Sequence, residues 1–126
     1  MGIINPETFM PYPIPSRYAL TEDEVYRIKV ATDQYNAILS GLATQFNVAL
    51  VDMSAKLRQL QQGIVWDGVK PNTRFVNGGA FSLDGIHLNP RGCAVAANYF
   101  IDAVNAKYGS TIPQVDITKY QGIIFP

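Results

Sequence analysis

Val48-Ala49-Leu50-Val51 is short, apolar and β-branched at both ends, and it follows a long amphipathic pattern. A brief apolar run in that position is expected to be a buried parallel strand, because a strand covered on both faces shows no polar alternation. Asp52 then falls at its carboxyl end. The expected fold class is α/β. The helix ahead of this strand has a sharp start. Thr21 is a candidate N-cap, Glu24 is its capping-box partner, and Leu20 and Val25 can form a hydrophobic staple. Glu22 and Asp23 sit favourably near the positive end of the helix dipole. Val25, Ile28, Tyr35, Leu39, Leu42 and Phe46 recur at helical spacing, and Ala31 and Ile38 broaden them into a stripe expected to be buried. Gly41 lowers helix propensity locally without interrupting the pattern.

Beyond the tetrapeptide, Met53 to Gln62 predicts a short helix with Leu57 and Leu60 on its apolar face and Gly63 as its stop. Asp52 and Ser54 compete as its cap. Residues 64–81 hold Gly68, Asn72, Asn77, Gly78 and Gly79 with Pro71, too much punctuation for a long element. Arg74-Phe75-Val76 can form a short extended segment within it. The last helix has Asn89 as cap, Pro90 at its first position, Gly109 as stop, and Val95, Ala97, Phe100, Ile101 and Val104 as its core-facing surface. Residues 1–19, with Pro6, Pro11, Pro13 and Pro15, predict an extended arm. Residues 110–126 predict an extended C-terminal tail with few anchoring side chains. One strand among three helices makes an incomplete domain, since a lone buried strand loses water without regaining hydrogen bonds. Its neighbours are expected from another polypeptide, from a second copy of the chain, or from local pairing with Arg74-Phe75-Val76.

Composition narrows the function classes. The chain has 126 residues, and ten Lys and Arg balance ten Asp and Glu. Net zero charge argues against dependence on nucleic acid or an anionic membrane, which need clustered positive charge. The aromatic residues are not interleaved with basic ones, so a base-stacking surface has little support. An apolar fraction of 48% suits a folded chain, and no apolar run is long enough to span a bilayer. Met1 to Phe9 lacks the basic-then-apolar order of a signal peptide. A single cysteine forms no internal disulfide and leaves the redox compartment open. The lone histidine and lone cysteine make no metal-ligand cluster, and neither metal nor cofactor is expected. No internal repeat is present.

The chemistry concentrates in Ala80-Phe81-Ser82-Leu83-Asp84-Gly85-Ile86-His87-Leu88-Asn89-Pro90-Arg91-Gly92. It places the chain's one histidine three residues after a carboxylate and just before a helix start. Asp84 can hold the Nδ1 proton of His87, which leaves Nε2 to take a proton from a hydroxyl and return it to a leaving group. Gly85 permits the tight backbone course between them, and the Asn-Pro helix start anchors the loop. Ser82 lies too close in sequence to be a natural nucleophile and reads as a loop hydrogen-bond group. Ser16, Ser40, Ser54 and Ser110 have no local activating feature. Trp66 and Phe75 can line an acyl pocket or pack in a satellite core. Arg91 reads as a solvated helix-side residue, Cys93 as a small packing residue, and Gly92 as the site of close approach between helix and sheet.

The block from Phe81 to Gly92 resembles the C-terminal motif of the SGNH (GDSL-type) hydrolases, which include many lipases and acyl esterases. In that resemblance Asp84 falls on the triad acid and His87 on the catalytic base. The helix–strand–helix order over residues 20–109 is similar to the C-terminal half of their domain. It implies an incomplete flavodoxin-like three-layer α/β/α domain, with 1–19 and 110–126 as additions. The nucleophilic serine of such enzymes sits in a Gly-Asp-Ser-like block, and oxyanion groups come partly from a Gly-x-Asn-Asp block. Neither occurs here, so no nucleophile and no oxyanion residue carries over. The resemblance implies a parent serine ester hydrolase, secreted or envelope-associated, with an ester as substrate. This chain is then its Asp/His-bearing part, inactive alone, and partnered by a missing N-terminal half or by itself. The competing expectation is a noncatalytic association domain.

Overall fold

The computed structural model describes residues 4–5, 7–12, 15–74 and 76–123. Three α-helices are present among them: α1 (Glu22–Gln45), α2 (Met53–Gln61) and α3 (Pro90–Tyr108), with single 3-10 turns at Ser16–Tyr18 and Ile117–Lys119. Half of the described residues are helical, and they contain no sheet, only isolated bridges. This corrects the expected α/β, flavodoxin-like class. Two compact units are distinguished, Met1–Gly41 and Leu42–Pro126, with the boundary inside α1.

In the first unit the chain closes on itself at an antiparallel bridge between Ile4 and Pro11, with Asn5 N–H donating to Met10 O at 2.9 Å. The capping box forms at the head of α1: Thr21 N–H donates to Glu24 Oε2 at 2.8 Å, and Glu24 N–H donates to Thr21 Oγ1 at 3.3 Å. These Thr21 bonds hold the Glu24 carboxyl below its usual range, the backbone one contributing most. The expected burial of the helix stripe does not occur. Val25, Ile28, Tyr35 and Leu39 are 50–67% exposed, since the sheet that was to receive them is absent among the described residues.

In the second unit, Val48 to Val51 is irregular backbone, not a strand. Asn47 takes a left-handed φ of 54° as α1 ends, and Val48 N–H then bonds back to Ala43 O at 3.0 Å. Ala49 N–H donates to the Tyr108 hydroxyl at 3.2 Å. The amides of Val48 and Ala49 are thus satisfied by a helix end and a side chain, without a ladder. Val48 and Leu50 remain well exposed. Asp52 settles the cap of α2 by accepting from Ala55 N–H at 2.8 Å, while Ser54 Oγ accepts from Arg58 Nη1 at 2.7 Å. Gly63, at φ 81°, ends that helix.

The core forms around α3. Ala94, Val95, Tyr99 and Ile117 are buried, with Val51, Met53, Ile64, Trp66, Val69 and Val115 packed against them. The buried face of α3 runs through Ala94, Val95, Asn98 and Tyr99, whereas Phe100, expected inside, is 53% exposed. The tail after Gly109 is fastened to α3 by two asparagines two turns apart. Asn98 donates to Val115 O at 2.8 Å and accepts from Val115 N–H at 2.7 Å. Asn105 donates to Ile112 O at 2.8 Å and accepts from Ile112 N–H at 2.9 Å. These four bonds let an irregular segment lie on a helix with the backbone groups of Val115 and Ile112 paired. Ile117 then inserts fully.

Candidate functional site

The Asp84–His87 loop is built from its edges inward. Phe81 and Leu88 form an antiparallel bridge, Ser82 N–H donates to His87 O at 2.8 Å, and Asn89 N–H donates to Ala80 O at 3.0 Å. Asn89 both caps α3, accepting from Gly92 N–H at 2.9 Å, and donates its amide to Phe81 O at 3.1 Å. Gly85 takes φ 72° at the tip, a conformation that side chains resist. The loop is therefore closed at its base and tied to the first turn of α3.

Asp84 organises the interior. Its Oδ1 accepts from Ser82 Oγ at 2.5 Å and from the backbone N–H groups of Ile86 and His87 at 2.9 Å each. Its Oδ2 lies 2.6 Å from His87 Nδ1. The Ser82 hydroxyl, then the His87 side chain, then the two backbone amides hold the Asp84 carboxyl far below the usual carboxylate range. An ionised carboxylate only accepts, so Nδ1 carries the proton of that bond and Nε2 is the ring nitrogen left to accept one. The His87 side chain is 79% exposed, so Nε2 faces outward, open to a reactant. Orientation of an imidazole by a carboxylate is the arrangement of a general base.

No hydroxyl of the nearby loop completes it. Ser82 is committed to Asp84, Ser54 accepts from Arg58, and Ser110 donates to Asn105 Oδ1 at 2.8 Å. Among the described residues no group of three or more His, Cys, Asp or Glu is placed to hold a metal ion. No helix of the described residues is long and apolar enough to cross a membrane.

Other predicted residues go elsewhere. Trp66 packs on Tyr99, ring centroids 5.6 Å apart, and so belongs to the core. Phe75 lies outside the described residues. Arg91 is not a free solvated residue: its Nε donates to Tyr120 O at 3.1 Å and its N–H to Gln121 O at 3.3 Å. Cys93, expected to pack, is exposed. Gly92 does permit a close approach, but to the Ala80 carbonyl and not to a sheet. A hollow of about 280 Å³ opens beside the loop, lined by Leu57, Gln61, Thr73, Phe81 and Gly85. Sequence reading missed it, because its walls come from α2 and two loop stretches far apart in the chain. No protein-family model matches the chain, and comparison with curated proteins and with solved structures likewise gives no match.

Proposed function

We propose that the chain is the Asp84/His87-bearing part of a serine ester hydrolase of the SGNH type, acting with a nucleophile supplied by polypeptide outside residues 1–126. The observation that supports this most is the 2.6 Å bond from His87 Nδ1 to Asp84 Oδ2, with the rest of the imidazole open to solvent. In this reading Asp84 fixes the tautomer and stabilises the imidazolium. His87 Nε2 takes the serine proton as the serine oxygen attacks an ester carbonyl, then returns that proton to the leaving alcohol. Water repeats the sequence to release the acid from the acyl-serine. The hollow beside Gly85, with Leu57 and Phe81 in its wall, suits a short acyl chain.

The test is turnover of short acyl esters by an assembly of this chain with a polypeptide carrying a Gly-Asp-Ser block. Activity in the assembly, lost by several orders of magnitude in His87→Ala, is the expected result. Full activity in His87→Ala would overturn the reading.

A second reading, a noncatalytic association domain, is favoured by a different observation. Three of the four bonds to Asp84 come from Ser82 and the local backbone, a set that closes the loop whether or not the imidazole is used. Retention of assembly with complete absence of turnover would select it.

A further inference from the structure

Within the unit Met1–Gly41, α1 presents an exposed apolar seam with the period of a coiled coil. Val25, Ile28, Tyr35 and Leu39 are 50–67% exposed. With Thr32 between them they alternate at spacings of three and four, the a and d positions of a heptad. The sequence carries the same spacing on to Leu42 and Phe46. Thr32 is the polar member, and its hydroxyl donates to Ile28 O at 2.8 Å. That bond leaves its methyl to face a partner and no unpaired donor to bury. The helix has 24 residues, so at 1.5 Å per residue it runs about 36 Å, long enough for three heptads.

The charges beside the seam identify the partner. With Val25 at a, Glu24 stands at g and Lys29 at e. In a parallel, in-register pair of identical helices, g of one copy faces e of the next heptad in the other, so Glu24 meets Lys29 twice by symmetry. An antiparallel pair sets g against g and e against e and gains neither bond. Both groups have capacity to spare. The Thr21 bonds to Glu24 use Oε2 alone, which leaves Oε1, and the Lys29 ammonium, which donates to Asp33 at 2.8 Å, has two further protons. Glu22, also beside the seam, has no g position within α1 to oppose it. Asp23 and Arg27 pair with each other at 2.7 Å away from the seam.

We infer that a second copy of this chain covers α1, parallel and in register along Val25, Ile28, Thr32, Tyr35 and Leu39. This is separate from the hydrolase reading: its readout is mass, not turnover, and either can fail alone. Sedimentation equilibrium of the full chain over a broad dilution series should move between one and two chain masses. Leu39→Asp places an unpaired charge in the seam and should raise the dissociation constant on the order of a hundredfold or more. Ala37→Asp, on the opposite face, should leave it unchanged. Thr32→Cys in a Cys93→Ala background should form an interchain disulfide under mild oxidation, because like a positions face each other only in the parallel register. That readout does not depend on the Leu39 variant folding. A chain that stays monomeric at the highest concentration overturns the inference, as does a dimer indifferent to Leu39→Asp. A dimer in which Thr32→Cys fails to cross-link overturns the parallel register.

Discussion

Asp84 Oδ2 stands 2.6 Å from His87 Nδ1 on a surface loop, with side chains 48% and 79% exposed. An exposed pair of side chains is ordinarily loose, because both must be held in one geometry against water. Here the carboxylate is not mobile. Three further donors fix its other oxygen, so the imidazole meets an acceptor that is already placed.

The same bonds set a pH dependence. The folded Asp84 carboxyl titrates below its unfolded value. Its contribution to holding the loop is therefore complete above the ordinary aspartate range and lost as pH falls through the depressed folded value. Carboxyl-carbon NMR should find Asp84 still ionised below the ordinary aspartate range, with Ser82→Ala moving its titration upward, since the Ser82 hydroxyl contributes most. An Asp84 that titrates in the ordinary aspartate range would remove the basis for a preorganised pair.

Alone, the chain should hydrolyse short acyl esters no faster than its His87→Ala variant. A base removes a proton usefully only where a nucleophile is positioned, and the neighbouring Ser82 hydroxyl points at Asp84 instead. Oxyanion donors normally add about 3–4 kcal/mol of transition-state stabilisation, and none is identified here. Turnover by pure chain that disappears in the His87→Ala variant would show that a nucleophile is present after all.

Asn98 is fully buried and satisfies both backbone groups of Val115. Asn98→Ala removes the partner of the Val115 N–H and C=O, which are half-buried, and an unsatisfied buried group costs about 1–3 kcal/mol. The variant should lose roughly 1–3 kcal/mol in urea unfolding, with exchange of the Val115 amide accelerated. Wild-type stability in Asn98→Ala would mean that Asn105 and Ile117 hold the tail without it.

What could be read from the sequence was local. The Thr21–Glu24 capping box, the Asn89-Pro90 helix start, the Gly63 and Gly109 stops and the Asp84–His87 bond each depend on residues within a few positions of one another. The α/β assignment depended on where Val48 to Val51 finds partners, and a short apolar run cannot report that. Its first two amides, of Val48 and Ala49, went to Ala43 O and the Tyr108 hydroxyl. The tail's docking was hidden for the same reason: Asn98 and Val115 are separated by most of a helix and a loop. One signal was available. Asn98 is a polar residue on the line of α3 that also carries Val95, and such a residue must find a backbone to pair with.

Gly92 joins the fold to the site, and substituting it tests that connection. A Cβ there would stand 2.1 Å from Ala80 O and 3.0 Å from a Leu88 methyl. The Ala80 carbonyl cannot simply move aside, because it accepts from Asn89 N–H and precedes the bridge that closes the loop. Gly92→Ala should therefore push the first turn of α3 off the loop, costing about 1–3 kcal/mol as overpacking does. The same shift should loosen the Asn89 bonds to Phe81 O and Gly92 N–H that tie the loop base to the helix. His87 would then sample a wider range, and the Asp84 carboxyl would move back toward its ordinary range. A control at Gly41, where an added methyl meets nothing within 4 Å, should be neutral or stabilising, as alanine is the better helix former by about 1 kcal/mol. If Gly92→Ala unfolds at the wild-type urea midpoint and leaves the Asp84 titration unmoved, the loop and helix are not coupled through this contact.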